Sequence, residues 1–319
     1  MASGKTPKRK YKKNEIIRLS VMAVCAVVFV VCVANLIRIF AEYKQSEDYY
    51  NKINSGFDNS PANVANGFSI LPMSSYASAS PLSSYKNQKN NPGTIHVDDP
   101  SEVPVVPGGN AEFQHKLATL KELYAQNSDV FGYIQIEDTK ISYPVMQGPD
   151  NYYYLKRGTN KKYLSVGSIF ADYRNSRTLT ENKNVILYGH NMLNGSMFHD
   201  VARYDLDFPS KYGVRYDGSE YGQNFFDTHR YIKLFTFDGI YTFEVFSFYE
   251  TDENDKYFMT NFASDEAFLA FCDRAISRSQ YDTGITMTAD DIMITLSTCV
   301  NLSPTGRYAC HARLIKIEN

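Results

Sequence analysis

The chain has 319 residues, 43% of them hydrophobic and 21% charged, with a formal net charge of -2. That balance is the composition of a globular protein carrying added segments, and without a basic excess it excludes nucleic acid as a partner.

The near-neutral total hides a polarised start, because Lys5, Lys8, Arg9, Lys10, Lys12, Lys13 and Arg18 stand against Glu15 alone. From Leu19 to Ile37 the sequence then runs for 19 residues without a charge, closed by Arg38. At about 1.5 Å of rise per residue such a run spans roughly 28 Å as a helix, close to the hydrocarbon thickness of a bilayer. A signal peptide would have a shorter apolar core and a small-residue cleavage site, and "IRIFAEYKQSEDYY" offers no such site. The pattern predicts a cytoplasmic basic tail over residues 1–15 and an uncleaved, single-pass transmembrane helix over 16–40. By the positive-inside rule the N-terminus stays in the cytoplasm and everything after Phe40 lies outside the cell membrane.

Residues 41–110 read as a flexible extracytoplasmic stalk, since "NSGFDNSPANVANGFS", "SSYASASPLSSY" and "VPVVPGGN" are rich in Ser, Asn, Pro and Gly. Such a composition buries too little apolar surface to offset its ordering entropy, and flexible-chain scaling gives it a reach of roughly 40–50 Å. The head, 111–319, opens on Phe113, Leu117, Leu120 and Tyr124, which recur at helical spacing. Short β-rich runs follow: "VFGYIQI", "ISYPVMQG", "GSIFADY", "NVILYGH", "YIKLFTF", "YTFEVFSFYE", "IMITLSTC" and "YACHARLIKIE". Asp238-Gly239 marks a hairpin between two of them. One helix interrupts the series, with Phe268, Leu269, Phe271, Cys272, Ala275 and Ile276 on one face behind Ser264 as N-cap. These elements predict a single β-barrel or sandwich with a few helices.

Of the five cysteines, Cys25 and Cys32 fall in the membrane helix, leaving Cys272, Cys299 and Cys310 outside. An odd number with no CxxC pair makes neither a closed disulfide framework nor a metal site. Cys272 on a helix face and Cys310 inside a strand read as packing. Cys299 differs, because it falls where a β-branched strand meets the polar loop "VNLSPTG", a placement that projects a side chain while the sheet fixes its backbone. Arg307, eight residues on, opens the final strand. If those two strands pair around the loop, its guanidinium stands beside the thiol, favours a thiolate and donates to an oxyanion. His190 ends the strand "NVILYG" and enters a loop in the same way, which makes it the expected general acid/base. His311 points to the same side of the last strand as Arg307 and reads as a structural or rim histidine.

Thr295-Leu296-Ser297-Thr298-Cys299, with Arg307 downstream and "NVILYGHNMLNGSMF" upstream, closely resembles the sortases, the cysteine transpeptidases of Gram-positive surfaces. The likeness runs through the head, and the helix before the barrel and the helix-bearing insertion resemble class B in particular. The resemblance implies an eight-stranded sortase-type β-barrel with peripheral helices and a catalytic set of His190, Cys299 and Arg307. It implies that Cys299 cleaves an NPxTx- or LPxTx-like sorting signal of secreted proteins after Thr, giving a thioacyl enzyme. The acceptor would be an amino group of a peptidoglycan precursor, or a pilin lysine if the enzyme polymerises pili. Transpeptidation conserves the acyl-bond energy, so neither a cofactor nor a metal is implied. Tyr188, Ser297 and Asn151 match positions where class B relatives contact substrate. Two other readings of the same residues are a cysteine endopeptidase and a catalytically idle surface binding module. "NPGT" at Asn91 to Thr94 also looks like an Asn-Pro-x-Thr sorting motif, but Asn, Pro and Gly are what any linker contains and no apolar stretch with a basic tail follows it as in a true substrate.

Overall fold

The computed structural model describes residues 13–58, 111–212 and 221–318. It divides into two units, Met1–Gln45 and Ser46–Asn319. Helix α1 (Lys13–Asp58) supplies the first unit, and its apolar stretch, of mean hydropathy 2.8, is long enough to cross a membrane. Val21, Val27, Phe29 and Phe40 are all exposed there.

In the second unit the end of α1 lies against the folded head. Residues 41–58, expected to be flexible, are helical instead. Within them Tyr50, Ile53 and Phe57 follow helical spacing, and Tyr50 and Phe57 are buried. The Phe57 ring stacks on Tyr133, Lys116 Nζ donates to the Phe57 carbonyl at 2.7 Å, and the Tyr50 hydroxyl donates to the Gly167 carbonyl at 2.6 Å. Apolar side chains on one face outweigh an unfavourable average composition. The rest of the expected stalk, including Asn91 to Thr94, lies outside the described residues.

Helix α2 (Ala111–Gln126) buries Phe113, Leu117 and Leu120 of the expected stripe and Leu123 besides, while Tyr124 is only partly buried. Eight strands follow: β1 (Val130–Gln135), β2 (Ser142–Met146), β3 (Ile169–Ala171), β4 (Asn184–Tyr188), β5 (Tyr231–Phe235), β6 (Ile240–Asp252), β7 (Met293–Cys299) and β8 (Gly306–Glu318). They match the eight runs read from the sequence, and Asp238-Gly239 sits in the turn joining β5 to β6. The strands close into a mixed barrel in the order β1-β2-β3-β4-β7-β8-β6-β5. Closure removes the free edges a short sheet would expose. Among the described residues, three short helices, α3 (His199–Ala202), α4 (Phe208–Tyr212) and α5 (Gln223–Thr228), lie between β4 and β5.

Helix α6 (Asp265–Arg278) lies in the connection from β6 to β7 and starts as expected, with the Ser264 side chain accepting from Ala267 N–H. It covers one face of the sheet, where Phe268, Phe271, Cys272 and Ala275 cluster with Met293 and Ala309. Side chains alternate along a strand, so Thr295, Ser297 and Cys299 of β7 share the face of Met293. Two pairings decide where the strand ends meet. β7 and β8 are antiparallel, with Cys299 opposite Arg307. β4 and β7 are parallel, with Tyr188 opposite Ser297, so both strands finish at the same end of the barrel.

Candidate active site

Cys299 is the last residue of β7 and is half-buried. Just beyond it, Val300 N–H donates to Gly306 O at 3.0 Å. Hydrogen-bonded and non-hydrogen-bonded pairs alternate in an antiparallel ladder, so Cys299 and Arg307 form a non-hydrogen-bonded pair, the kind whose Cα atoms approach to about 4.5 Å and whose side chains lie closest. Arg307 Nη1 donates to Gly306 O at 2.8 Å, and Nη2 is ion-paired with Glu253 in the connection after β6. Two bonds from a group with five N–H donors fix the guanidinium plane and leave donors for another oxygen.

His190 lies two residues past Tyr188, so continuing the parallel register of β4 and β7 brings it level with Cys299. The three residues expected to form the catalytic set therefore stand at one end of three adjacent strands. His190 Nε2 lies 2.8 Å from the Leu155 carbonyl. A carbonyl only accepts, so Nε2 carries the proton in the neutral ring and Nδ1 is left as the basic nitrogen. Leu155 is held from behind by Gly167, whose φ of +60° is open to glycine and whose Cα packs so tightly that a Cβ would fall 2.4 Å from the Leu155 oxygen.

The remaining expected site residues occupy a second row. The Tyr188 hydroxyl donates to Asp172 Oδ2 at 2.9 Å, and Asn151 Nδ2 donates to the same oxygen at 2.9 Å. Arg174 adds two bonds to this buried carboxylate. Burial alone would raise the Asp172 carboxyl, and these donors bring it below its ordinary value. Burial, then the Asp172 charge, pushes the Tyr188 phenol far up, so its hydroxyl stays protonated and donates. Ser297 is buried beside Tyr188 in the register, with its Oγ 2.8 Å from the Tyr257 hydroxyl.

Three residues near the site carried no sequence signal. Tyr257 is buried, and its phenol is pushed up by burial against the hydrogen bond to Ser297 and the charge of Arg307. Glu253 holds Arg307. Asn191 donates from Nδ2 to the Cys299 carbonyl at 3.0 Å. All three lie in irregular connections, where only tertiary contact assigns a partner.

The other two thiols outside α1 are fully buried, as expected of packing residues. Burial pushes Cys272 up to about 12 and drives Cys310 higher still. His311 is structural as expected, though it lies in the core and not at the rim. Its Nδ1 is 2.9 Å from Thr295 Oγ1 and its Nε2 is 3.0 Å from the Tyr249 hydroxyl.

A family model described as "Sortase domain" matches residues 134–315. Sortase B of Staphylococcus aureus is 31% identical over 207 residues, covering 64% of this chain and 78% of that one. Sortase B of Listeria monocytogenes is 35% identical over 191 residues, covering 60% and 69%. Among solved structures, a Staphylococcus aureus sortase B–substrate complex superposes with a TM-score of 0.58 at 26% identity, covering 86% of this chain and 99% of that chain. A match through more than half of the chain, on a barrel whose strand ends carry the sequence's own thiol, histidine and arginine, means that this chain belongs to the sortase family as a class B sortase, a cysteine transpeptidase.

Proposed function

We propose that this sortase cleaves an NPxTx- or LPxTx-like sorting signal at the C-terminus of secreted proteins after its Thr, and joins the new acyl end to an amino group of the cell wall. Cys299 is the nucleophile, His190 the acid/base and Arg307 the oxyanion donor. The Cys299 thiolate attacks the Thr carbonyl carbon, and Arg307 donates to the oxygen as it becomes negative. The C–N bond breaks, His190 delivers a proton to the departing amine, and a thioester remains on Cys299. The incoming amine then attacks that thioester, His190 takes its proton, and the thiolate leaves with the bond order restored. With Nε2 committed to Leu155, Nδ1 is the nitrogen that carries this proton. Tyr188, Ser297 and Asn151 line the approach for the residues before the scissile bond.

The observation that carries the reading is the register: a thiol and a guanidinium opposed in a non-hydrogen-bonded pair, with an imidazole level with them on the next strand. The N-terminal apolar helix suggests a membrane anchor. We assign it a single pass with the N-terminus in the cytoplasm, so that the head works on secreted chains emerging at the same surface.

Quenched fluorescent peptides bearing NPxTx and LPxTx motifs, incubated with and without an amine acceptor, test the proposal. Cleavage that requires Cys299 and yields an amine-linked product supports it. Hydrolysis that ignores the amine would indicate an endopeptidase, and an unreactive Cys299 thiol would leave a binding module.

A further inference from the structure

The two strands that present His190 and Cys299 end unevenly, and one side chain makes up the difference. The last backbone bond of the parallel β4–β7 ladder runs from Gly189 N–H to Ser297 O at 3.2 Å. Donors in a parallel ladder recur at every second residue of a strand, so the next bond would run from Asn191 N–H to the Cys299 carbonyl. The chain has already left the sheet there, since Phe198 N–H donates to His190 O at 2.9 Å and Asn191 bridges to Met197. The side-chain amide of Asn191 takes over the missing bond, donating to Cys299 O at 3.0 Å. That carbonyl points to the β4 side because the Cys299–Arg307 pair is a non-hydrogen-bonded one, which turns the Cys299 backbone groups away from β8.

The amide is itself held. His199 Nδ1 lies 2.9 Å from Asn191 Oδ1. An amide oxygen only accepts, so His199 Nδ1 carries a proton, and the donor end of the amide is turned towards Cys299. The Tyr212 hydroxyl lies 3.4 Å from both Asn191 Nδ2 and the Asn301 backbone N, tying in the loop after the nucleophile.

We propose that Asn191 is a positioning residue for the Cys299 thiol, with His199 fixing Asn191 for that task. The inference rests on the reading of Cys299 as nucleophile. His190 and Asn191 are consecutive, so one loop carries the base and also grips the backbone of the residue the base serves. Releasing that carbonyl frees the end of β7 to swing, and with it the direction of the Cys299 side chain relative to His190. A displacement of about 1 Å between reacting groups costs about a hundredfold in rate.

The test uses the full chain in detergent micelles, with Asn191→Leu and Asn191→Ala, which remove the donor without adding charge. His199→Leu and His199→Asn follow, the second retaining an N–H donor at the same reach, and Cys299→Ala is the control. Three readouts are taken: kcat and KM on an NPxTx peptide with an amine, the pH profile of Cys299 alkylation by iodoacetamide, and thermal unfolding. The Asn191 variants are expected to lose about 10- to 100-fold in kcat with KM within about twofold. Their alkylation profile should differ from that of the wild type, because the thiol no longer holds its place relative to His190 and Arg307. His199→Leu should follow in the same direction and His199→Asn should recover. Wild-type kcat together with an unchanged alkylation profile in Asn191→Leu overturns the proposal. So does a loss that tracks unfolding alone. If Cys299→Ala keeps its activity, the nucleophile reading itself fails, and that result is distinct from either.

Discussion

His311 gives the fold a specific sensitivity to acid. Thr295 Oγ1 donates to Asn184 Oδ1 at 2.8 Å, so its lone pair faces His311 Nδ1, which donates to it, while Nε2 accepts from the Tyr249 hydroxyl. One neutral tautomer thus ties together β4, β6, β7 and β8. Burial, helped by the charge of Arg278, pushes the imidazole down to about 3. Below an unfolded value near 6.5 the unfolded chain binds a proton that the native state refuses, so stability falls as the pH falls, at about 1.36 kcal/mol per unit, until the native ring titrates near 3. Integrated from pH 7 to pH 5, the contribution of this one group is a loss of about 2 kcal/mol. Other groups also titrate in that range, so the comparison that isolates it is the wild type against His311→Gln, which keeps a donor and an acceptor but cannot ionise. Urea unfolding at the two pH values, followed through tyrosine fluorescence because the chain has 25 Tyr and no Trp, gives both differences. His311→Gln should be less stable at pH 7 and should lose about 2 kcal/mol less on going to pH 5. Equal losses in the two proteins would refute the reasoning.

Arg307→Lys should fold normally, since the position is half-buried at a strand end, but should lose about 100- to 1,000-fold in kcat/KM because a point charge replaces a planar fork of donors; steady-state kinetics with the peptide substrate measure it. Gly167→Ala should destabilise the head by more than about 2 kcal/mol, combining a left-handed backbone with a Cβ driven into the Leu155 carbonyl. Its residual folded fraction should also have reduced kcat, because that carbonyl holds His190; urea unfolding and active-site titration separate the two effects. In native protein a thiol-directed alkylating reagent should modify Cys299 and spare Cys272 and Cys310, which are fully buried with raised thiol values, whereas all three should react in denaturant. Peptide mass spectrometry reads the difference.

The eight strands were legible because each is a short β-rich run bounded by turn residues, and that local pattern survives in the barrel. Part of the site was legible for a related reason. Cys299 and Arg307 flank one short loop between consecutive antiparallel strands, so pairing them needed only the assumption that neighbours in sequence pair in space. His190 is harder. Its strand meets β7 in parallel, across more than a hundred residues, and no local pattern encodes that; the His190 assignment came from its strand-end placement and from likeness to a family. The end of α1 was misread because a composition average hides Tyr50, Ile53 and Phe57 at helical spacing among Asn, Ser and Gly. Tyr257, Glu253 and Asn191 were invisible because each acts on a partner far away in sequence.

The division between what was legible and what was not follows the construction of the site. Cys299 and Arg307 are placed by backbone ladders, and β8 is paired on both sides, to β7 and to β6, as far as Arg307 itself. A residue fixed in this way keeps its geometry when loop residues change. Glu253 and Tyr257 instead belong to the connection after β6, and they reach the site only through side chains. Exchanging that connection alters the charge beside Arg307 and the wall beside Ser297 without shifting the thiol. Asn191 stands between the two cases. It completes a ladder, but with its side chain, so it is the point where a loop substitution reaches the backbone of Cys299 directly. Changes at residues 253 and 257 should therefore move KM and motif preference, while changes at 191 should move kcat.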